Sequence, residues 1–191
     1  MTPAAPIALS LGDPAGIGPE IIAEAWVQRE RTAPESGAPH PFFVVGGPEV
    51  LRAAVEARGL DCPIVPIAEP AEALFAFSAG LPVMAGLDAP YTPGEPSEAG
   101  AKLALASLSY ATRFALGGVA AALVTAPVAK AELAGVGFAN PGQTEFLADA
   151  CRLPYRDAVM MLAGPSLRTV PLTVHCALAE VPALLTSDLI A

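Results

Sequence analysis

The stretch LSLGDPAGIGPEII, residues 9–22, decides how this chain starts to fold. Leu9 and Leu11 alternate with small residues, which is typical of a β-strand. The glycines that follow relax the steric limits of a turn, and Pro19 suits the first turn of a helix, where its missing N–H costs nothing. The stretch therefore predicts a strand, a glycine-rich turn and a helix in direct succession.

The turn itself has two interpretations. A junction between a strand and a helix can aim backbone N–H groups at an anion, and Gly12, Asp13 and Gly16 would then contact a ligand. The glycine spacing is neither the GxGxxG of dinucleotide-binding folds nor a P-loop, because no Lys-Ser or Lys-Thr pair follows. An ordinary tight connection explains the same residues, so the sequence leaves both interpretations open.

Composition limits the classes of protein. The chain has 191 residues, 53% of them hydrophobic, which is enough for a full core in one domain or in one domain and part of another. A net charge of −9 with no basic cluster argues against nucleic-acid binding. Gly and Pro interrupt the apolar runs, and the first residues lack signal-peptide features, so we expect a cytoplasmic protein with no membrane partner. The three cysteines form no CxxC pair, which predicts free, buried thiols.

Strand-like and helix-like segments alternate along the chain, which predicts an α/β fold with a largely parallel sheet. The segments typical of strands are residues 42–45, 62–67 and 119–124, and those typical of helices are residues 49–58, 98–116 and 181–191. Residues 80–97, rich in Gly and Pro, are expected to form one long ordered loop. The strand at 119–124 is predicted to be buried and to deliver Thr125 to its carboxyl end, where open α/β sheets bind ligands.

Three polar features follow, and each has an alternative explanation. Lys130, close after Thr125, is a candidate catalytic or phosphate-binding residue, although a solvated lysine at a helix start explains it equally well. Gln143 and Thr144 lie at a loop-to-helix junction, where they are either ligand contacts or a simple helix cap. His175 lies at the end of an apolar strand, where a histidine is either a metal ligand or a hydrogen-bonded core residue.

Taken together, these segments resemble the 4-hydroxythreonine-4-phosphate dehydrogenase family of pyridoxal phosphate biosynthesis. The motifs that carry the resemblance are GDPAGIGPE at 12–20, LVTAP at 123–127 with Lys130, GQTEFLA at 142–148 and VH at 174–175. The resemblance implies a homodimer with a two-lobed α/β fold like that of the isocitrate and isopropylmalate dehydrogenases. It also implies that residues 1–133 form the first lobe and that residues 134–191 begin a second lobe, which is incomplete in this chain.

The resemblance also implies a reaction and the residues that serve it. NAD, with NADP as the alternative, oxidises a secondary alcohol of 4-phosphohydroxy-L-threonine, and carbon dioxide is then lost. A divalent metal ion, Zn, Mg or Co, polarises the hydroxyl group. His175 matches the first metal histidine of the family and Thr144 matches a substrate-binding threonine. Gly12, Asp13 and Gly16 are the candidate cofactor contacts.

Two departures from the family pattern modify this expectation. Gln143 stands where the family has a histidine, and glutamine carries no positive charge, so a related substrate such as threonate or erythronate phosphate is an alternative. The family also continues beyond residue 191 with its other metal histidines. We therefore expect an N-terminal part of the enzyme that is inactive by itself, or alternatively a non-catalytic module that binds a phosphorylated ligand or a partner chain.

Overall fold

The computed structural model describes residues 5–29, 31, 39–174 and 176–190. The chain divides into two compact units, Met1–Gly142 and Gln143–Ala191. The lobe boundary at residue 133 that the resemblance implies stays a prediction. Within the first unit, helix α5 (Lys130–Gly135) packs on helix α4 (Glu98–Leu116).

The first unit is built on a five-stranded sheet in which every pairing is parallel. The strand order is β3-β4-β2-β1-β5. The strands are β1 (Ile7–Ser10), β2 (Phe42–Val45), β3 (Ile64–Ile67), β4 (Leu81–Met84) and β5 (Ala122–Thr125). This is the α/β fold that the alternating segments predict.

Helices cover both faces of this sheet. Helices α1 (Gly18–Val27) and α2 (Pro48–Arg58) pack on one face, where Leu9 and Val44 meet Ile22 and Leu51 in one apolar cluster. On the other face Phe43 and Ala8 pack against Ala111 of α4, in a second cluster with the short helix α3 (Ala73–Ala76). The strands alternate their side chains between these two clusters, as a sheet buried on both faces requires.

Strand β4 corrects the expectation of one loop over residues 80–97. Pro82 lies inside it, and proline argues against a central strand because it has no N–H for the ladder. The strand forms nevertheless, because its pairing with β2 begins only at Val83, one residue after the proline. Residues 85–97 form the loop that remains.

That loop is tied to the body of the first unit at several points. The Asp88 carboxylate accepts hydrogen bonds from the N–H of Glu49 (2.9 Å) and of Val50 (3.4 Å), so it caps the first turn of α2. Ser97, at the end of the loop, accepts a bond from the N–H of Gly100 and caps α4, as the sequence predicts. The loop is therefore ordered by contacts with two helix starts.

Strand β5 is the second correction. The sequence predicts a buried strand at 119–124, but β5 lies at the edge of the sheet, and Ala122 and Val124 are exposed. A run of uncharged residues with β-branched side chains is typical of a buried strand. The pattern alone cannot distinguish a buried strand from an edge strand that has the same residues.

The second unit contains α6 (Gln143–Ala150), a two-stranded hairpin of β6 (Leu162–Ala163) and β7 (Arg168–Thr169), and the short helices α7 (Val181–Leu184) and α8 (Ser187–Ile190). The single helix predicted at 181–191 is wrong, because Leu185 adopts an extended backbone and separates two helical turns. Residues 171–174 form no strand, contrary to the prediction for the segment before His175.

Two sequence-level expectations concern cysteines and membranes. All three cysteines are free; Cys62 is buried as predicted, whereas Cys151 is exposed and Cys176 is half-buried. Burial raises the pKa of the Cys62 thiol to about 11. Within the described residues, the helices are too short or too polar to cross a bilayer.

The cap on α2 gives a direct test of the tied loop. Asp88→Ala removes the acceptor for two N–H groups of the first helical turn and is expected to lower the free energy of unfolding by about 1 kcal/mol. Urea denaturation followed by circular dichroism measures the change. Asp61→Ala, which removes an exposed carboxylate outside any helix start, is the control and is expected to change stability little. Equal losses in the two variants would contradict the capping role.

Candidate functional site

The candidate site lies where β1 and β5 end side by side. These neighbouring strands run in register, with Ser10 opposite Thr125. Within the sheet, β2 is the neighbour of β1 on one side, and β5 is its neighbour on the other side. Such a reversal of strand order is the point where open α/β sheets bind ligands, outside the carboxyl ends of the strands.

The turn after β1 and the segment after β5 are in direct contact. The N–H of Asp13 donates to the carbonyl oxygen of Pro127 at 2.9 Å. Gly12 has a φ of +75°, and a Cβ placed on it would lie 2.5 Å from the same oxygen. A Cβ on Gly18 would lie 2.6 Å from the carbonyl oxygen of Leu11. Both glycines are therefore required for close packing of backbone on backbone.

Asp13 organises the turn from within. Its side chain is buried, and its Oδ1 accepts a hydrogen bond from the N–H of Ala15 at 2.9 Å. Its carbonyl oxygen accepts a bond from the N–H of Gly16 at 3.0 Å. The N–H groups of Asp13, Ala15 and Gly16 are thus all engaged inside the protein, which favours the tight connection over an anion cradle for these three donors.

The loop at 85–97 holds the same turn from outside. The N–H of Gly94 donates to the carbonyl oxygen of Ala15 at 2.8 Å. Tyr91 donates its hydroxyl hydrogen to Oε1 of Glu20 at 3.2 Å, and Arg58 lies 3.7 Å from the other oxygen of that carboxylate. Burial raises the pKa of Tyr91, and the hydrogen bond to Glu20 adds to the effect. No local signal could have predicted these contacts, because they join residues far apart in sequence.

The other predicted residues lie in separate parts of the structure. Thr125 ends β5 and is half-buried, and Lys130 begins α5 with an exposed side chain. Gln143 and Thr144 begin α6, the first half-buried and the second exposed, and they belong to the second unit. His175 lies outside the described residues. The part of the chain that is described contains no group of three or more His, Cys, Asp or Glu side chains able to hold a metal ion.

Comparison with known proteins assigns the chain to a family. The family model described as the pyridoxal phosphate biosynthetic protein PdxA matches residues 38–191. The chain belongs to the PdxA family. This confirms the resemblance that the glycine turn, the LVTAP block and the GQTEFLA block indicate.

Two curated relatives and one solved structure illustrate the similarity. The 4-hydroxythreonine-4-phosphate dehydrogenase of Erythrobacter litoralis is 60% identical over 98% of this chain and 54% of its own length, and that of Zymomonas mobilis is 48% identical over 97% and 52%. The crystal structure of the Klebsiella pneumoniae enzyme of the same name has a TM-score of 0.77 at 34% identity, over 97% of this chain and 56% of that one. The chain therefore spans about half the length of the PdxA relatives it matches.

The contact between the two segments predicts an unequal response to substitution at two glycines. Gly12→Ala forces a Cβ against the Pro127 carbonyl at a positive φ and is expected to cost at least about 3 kcal/mol of unfolding free energy. Gly118 also has a positive φ, +71°, but a Cβ there has open space, so Gly118→Ala is expected to cost about 1–2 kcal/mol. Denaturant unfolding of both variants measures the difference. Similar losses would show that the close approach at Gly12 is not a constraint.

Proposed function

We propose that this chain supplies the N-terminal half of an NAD- and metal-dependent dehydrogenase, a homodimer that oxidises 4-phosphohydroxy-L-threonine with loss of carbon dioxide in pyridoxal phosphate biosynthesis. The observation that carries the proposal is the PdxA match, together with relatives of that enzyme name at 60% and 48% identity. The reversal of strand order at the carboxyl ends of β1 and β5 supports it, because this is where such sheets bind ligands.

The substrate contacts are proposed at the start of α6. The first N–H groups of a helix have no partner within the helix and favour a negatively charged group, such as a phosphate. Thr144 is exposed there and offers a hydroxyl group. Gln143 offers an amide that can donate and accept a hydrogen bond but carries no charge.

The metal ion is proposed to be bound by His175 together with residues from the part of the enzyme that the relatives have beyond the matched length. His175 is the one metal ligand that the resemblance assigns here, and a catalytic zinc site needs about three protein ligands. The described residues alone do not fit a metal ion, because they contain no suitable group of ligands. Two further ligands must then come from the rest of the enzyme.

The NAD contacts are proposed at the glycine turn, with fewer contacting residues than the sequence suggests. Gly12 and Asp13 are buried, so Gly16, which is half-buried, is the member of the three with surface to offer. Its N–H already donates to Asp13, so contact there is through van der Waals packing. Lys130 is exposed and is proposed as a charged group for a phosphate. When bound, NAD accepts the hydride from the substrate alcohol.

The experiment compares this chain with a longer one. We define the extended chain as this sequence followed by the part of the Erythrobacter litoralis relative that it does not match. With 4-phosphohydroxythreonine, NAD and a divalent metal ion, the extended chain is expected to form NADH, measured by absorbance, and to sediment as a dimer. This chain alone is expected to form none, because two of the three proposed metal ligands are missing. An inactive extended chain that is folded and dimeric would contradict the proposed substrate.

Gln143 gives a test of substrate choice in the extended chain. Restoring the family histidine by Gln143→His adds a group that can carry charge, and a hydrogen bond to a charged partner is worth about 1.5–3 kcal/mol. The expected result is a roughly ten- to hundredfold higher kcat/KM for 4-phosphohydroxythreonine, with a rate that titrates near the imidazole pKa. Steady-state kinetics across pH measure it.

Thr144→Ala is the control for that prediction. Its hydroxyl is proposed to meet the substrate whichever residue precedes it, so Thr144→Ala is expected to weaken binding in both backgrounds. If Gln143→His leaves kcat/KM unchanged or lowers it, then glutamine serves a different phosphorylated four-carbon hydroxy acid.

A further inference from the structure

A cavity of the first unit lies between β2, β4 and α4. It measures about 250 Å³, and it is lined by residues 45–46 at the end of β2, residues 84–87 at the end of β4, and Tyr110 and Phe114 of α4. We call it the β4 cavity. It shares no lining residue with the contact between the glycine turn and the segment after β5, so it is separate from the candidate site described above.

The β4 cavity lies where parallel sheets bind ligands. Strands β2 and β4 are parallel neighbours, so their carboxyl ends meet at the same edge of the sheet. The chain leaves β2 for α2 on one face of the sheet, and it leaves β4 for α4 on the opposite face. Connections that leave two neighbouring strands for opposite faces open a crevice at their carboxyl ends. The β4 cavity lies at this second crevice of the sheet.

The walls of the β4 cavity suit a flat aromatic ring. Phe114 packs edge to face on Phe43, with the ring centres 5.8 Å apart, and this contact holds its ring in place. Tyr110, one helical turn earlier, is 43% exposed, and Met84 adds a thioether, which makes favourable contacts with aromatic rings. A Cβ placed on Gly86 would meet no atom within 4 Å, so the space beside it is open.

The volume of the β4 cavity limits the ligand to one ring. An apolar cavity of about 150 Å³ is large enough to bind benzene. Pockets for drug-sized ligands usually measure about 300–1,000 Å³. The β4 cavity, at about 250 Å³, lies between these sizes. It therefore matches a single ring with a small substituent better than a dinucleotide.

Arg113 places a positive charge beside the β4 cavity. Its guanidinium carbon lies 5.4 Å from the centre of the Tyr110 ring. The side chain is exposed, and within the described part of the chain it pairs with no carboxylate. The carboxylate of Asp88, which follows the lining residues in sequence, is engaged at the start of α2. A free guanidinium beside an apolar cavity favours a ligand with a negatively charged group.

We propose that the β4 cavity binds a small aromatic anion, which is a single ring that carries a carboxylate or a phosphate group. The ring lies against Tyr110, Phe114 and Met84, and the anionic group meets Arg113. All of these residues belong to the first unit. The proposal does not depend on the proposed dehydrogenase activity, because the cavity is separate from the groups assigned to that reaction.

Titration followed by NMR of the backbone amides tests the proposal in this chain. Benzoate and phenyl phosphate are the probes, benzyl alcohol is the ring without charge, and acetate is the charge without a ring. At least one probe is expected to shift the amides of Gly46, Gly86 and Tyr110 until they saturate, and to leave Val124 unchanged. It is expected to bind at least about fivefold more tightly than benzyl alcohol, whereas acetate shifts none of these amides.

The more tightly bound probe identifies the anionic group as carboxylate or phosphate. Absence of saturable shifts with both probes would overturn the proposal. Benzyl alcohol binding as tightly as the better probe would also overturn it, since the charge would then play no part.

A pair of arginine variants tests the role of the charge. Arg113→Gln is expected to weaken binding of the better probe at least about fivefold and to leave that of benzyl alcohol unchanged. Arg52→Gln is the matched control, because Arg52 is a surface arginine, 41% exposed, on α2 at the other face of the sheet. It is expected to change neither affinity. Equal weakening by the two variants, or none by Arg113→Gln, would overturn the proposal.

Ala85→Phe tests the role of the cavity by filling it. The backbone N–H of Ala85 donates to the carbonyl oxygen of Ile67, and this bond does not involve the side chain. The variant is expected to fold, as circular dichroism checks, and to weaken binding of the better probe at least about tenfold. Unchanged binding in a folded variant would overturn the proposal. If the variant does not fold, the comparison of Arg113→Gln with Arg52→Gln decides.

The extended chain separates this inference from the proposed function. It is expected to bind the better probe with the affinity of this chain, because every lining residue lies in the first unit. Loss of binding in the extended chain would overturn the inference, whether or not that chain is active. An extended chain that binds the probe but forms no NADH removes the proposed function and leaves the inference.

Discussion

The hydrogen bond from Asp13 to the Pro127 carbonyl is the contact on which the site depends. It joins the connections that follow two neighbouring parallel strands, and it requires a glycine at position 12, since any Cβ there meets the same carbonyl oxygen. Position 18 also requires a glycine, because a Cβ there would contact the carbonyl oxygen of Leu11. The start of α1 and the segment leading to α5 are therefore held in one arrangement by backbone contacts rather than by side chains.

This constraint changes how the glycine-rich motif is understood. Glycines at a strand-to-helix turn suggest a cradle for phosphate, but here the donors of Asp13, Ala15 and Gly16 are bonded within the protein. The motif instead holds the turn after β1 against the segment after β5. The groups proposed to bind substrate and metal, Thr144 and His175, lie in the part of the sequence assigned to the second unit.

Local sequence predicts most helices and the parallel sheet, because capping residues and apolar periodicity act over a few residues. The cap at Ser97 and the helix it starts are confirmed. Strand β4 was not predicted because it contains Pro82. A strand tolerates a proline only where the pairing with its neighbour does not need that N–H, and this depends on where the pairing begins. The exposure of Val124 depends on which strand lies beside β5, and the contacts of Asp88 and Tyr91 depend on distant partners. Such features are set by tertiary structure and leave no local pattern.

The exchange rate of the Asp13 amide in this chain tests the central claim most directly. If its bond to Pro127 holds the two segments together, this amide opens only when the whole first unit unfolds, and its opening free energy equals that of Val44. Native-state hydrogen exchange across a series of denaturant concentrations measures both amides in one sample. Exchange of the Asp13 amide through a local opening, faster than Val44 and independent of denaturant, would contradict the account.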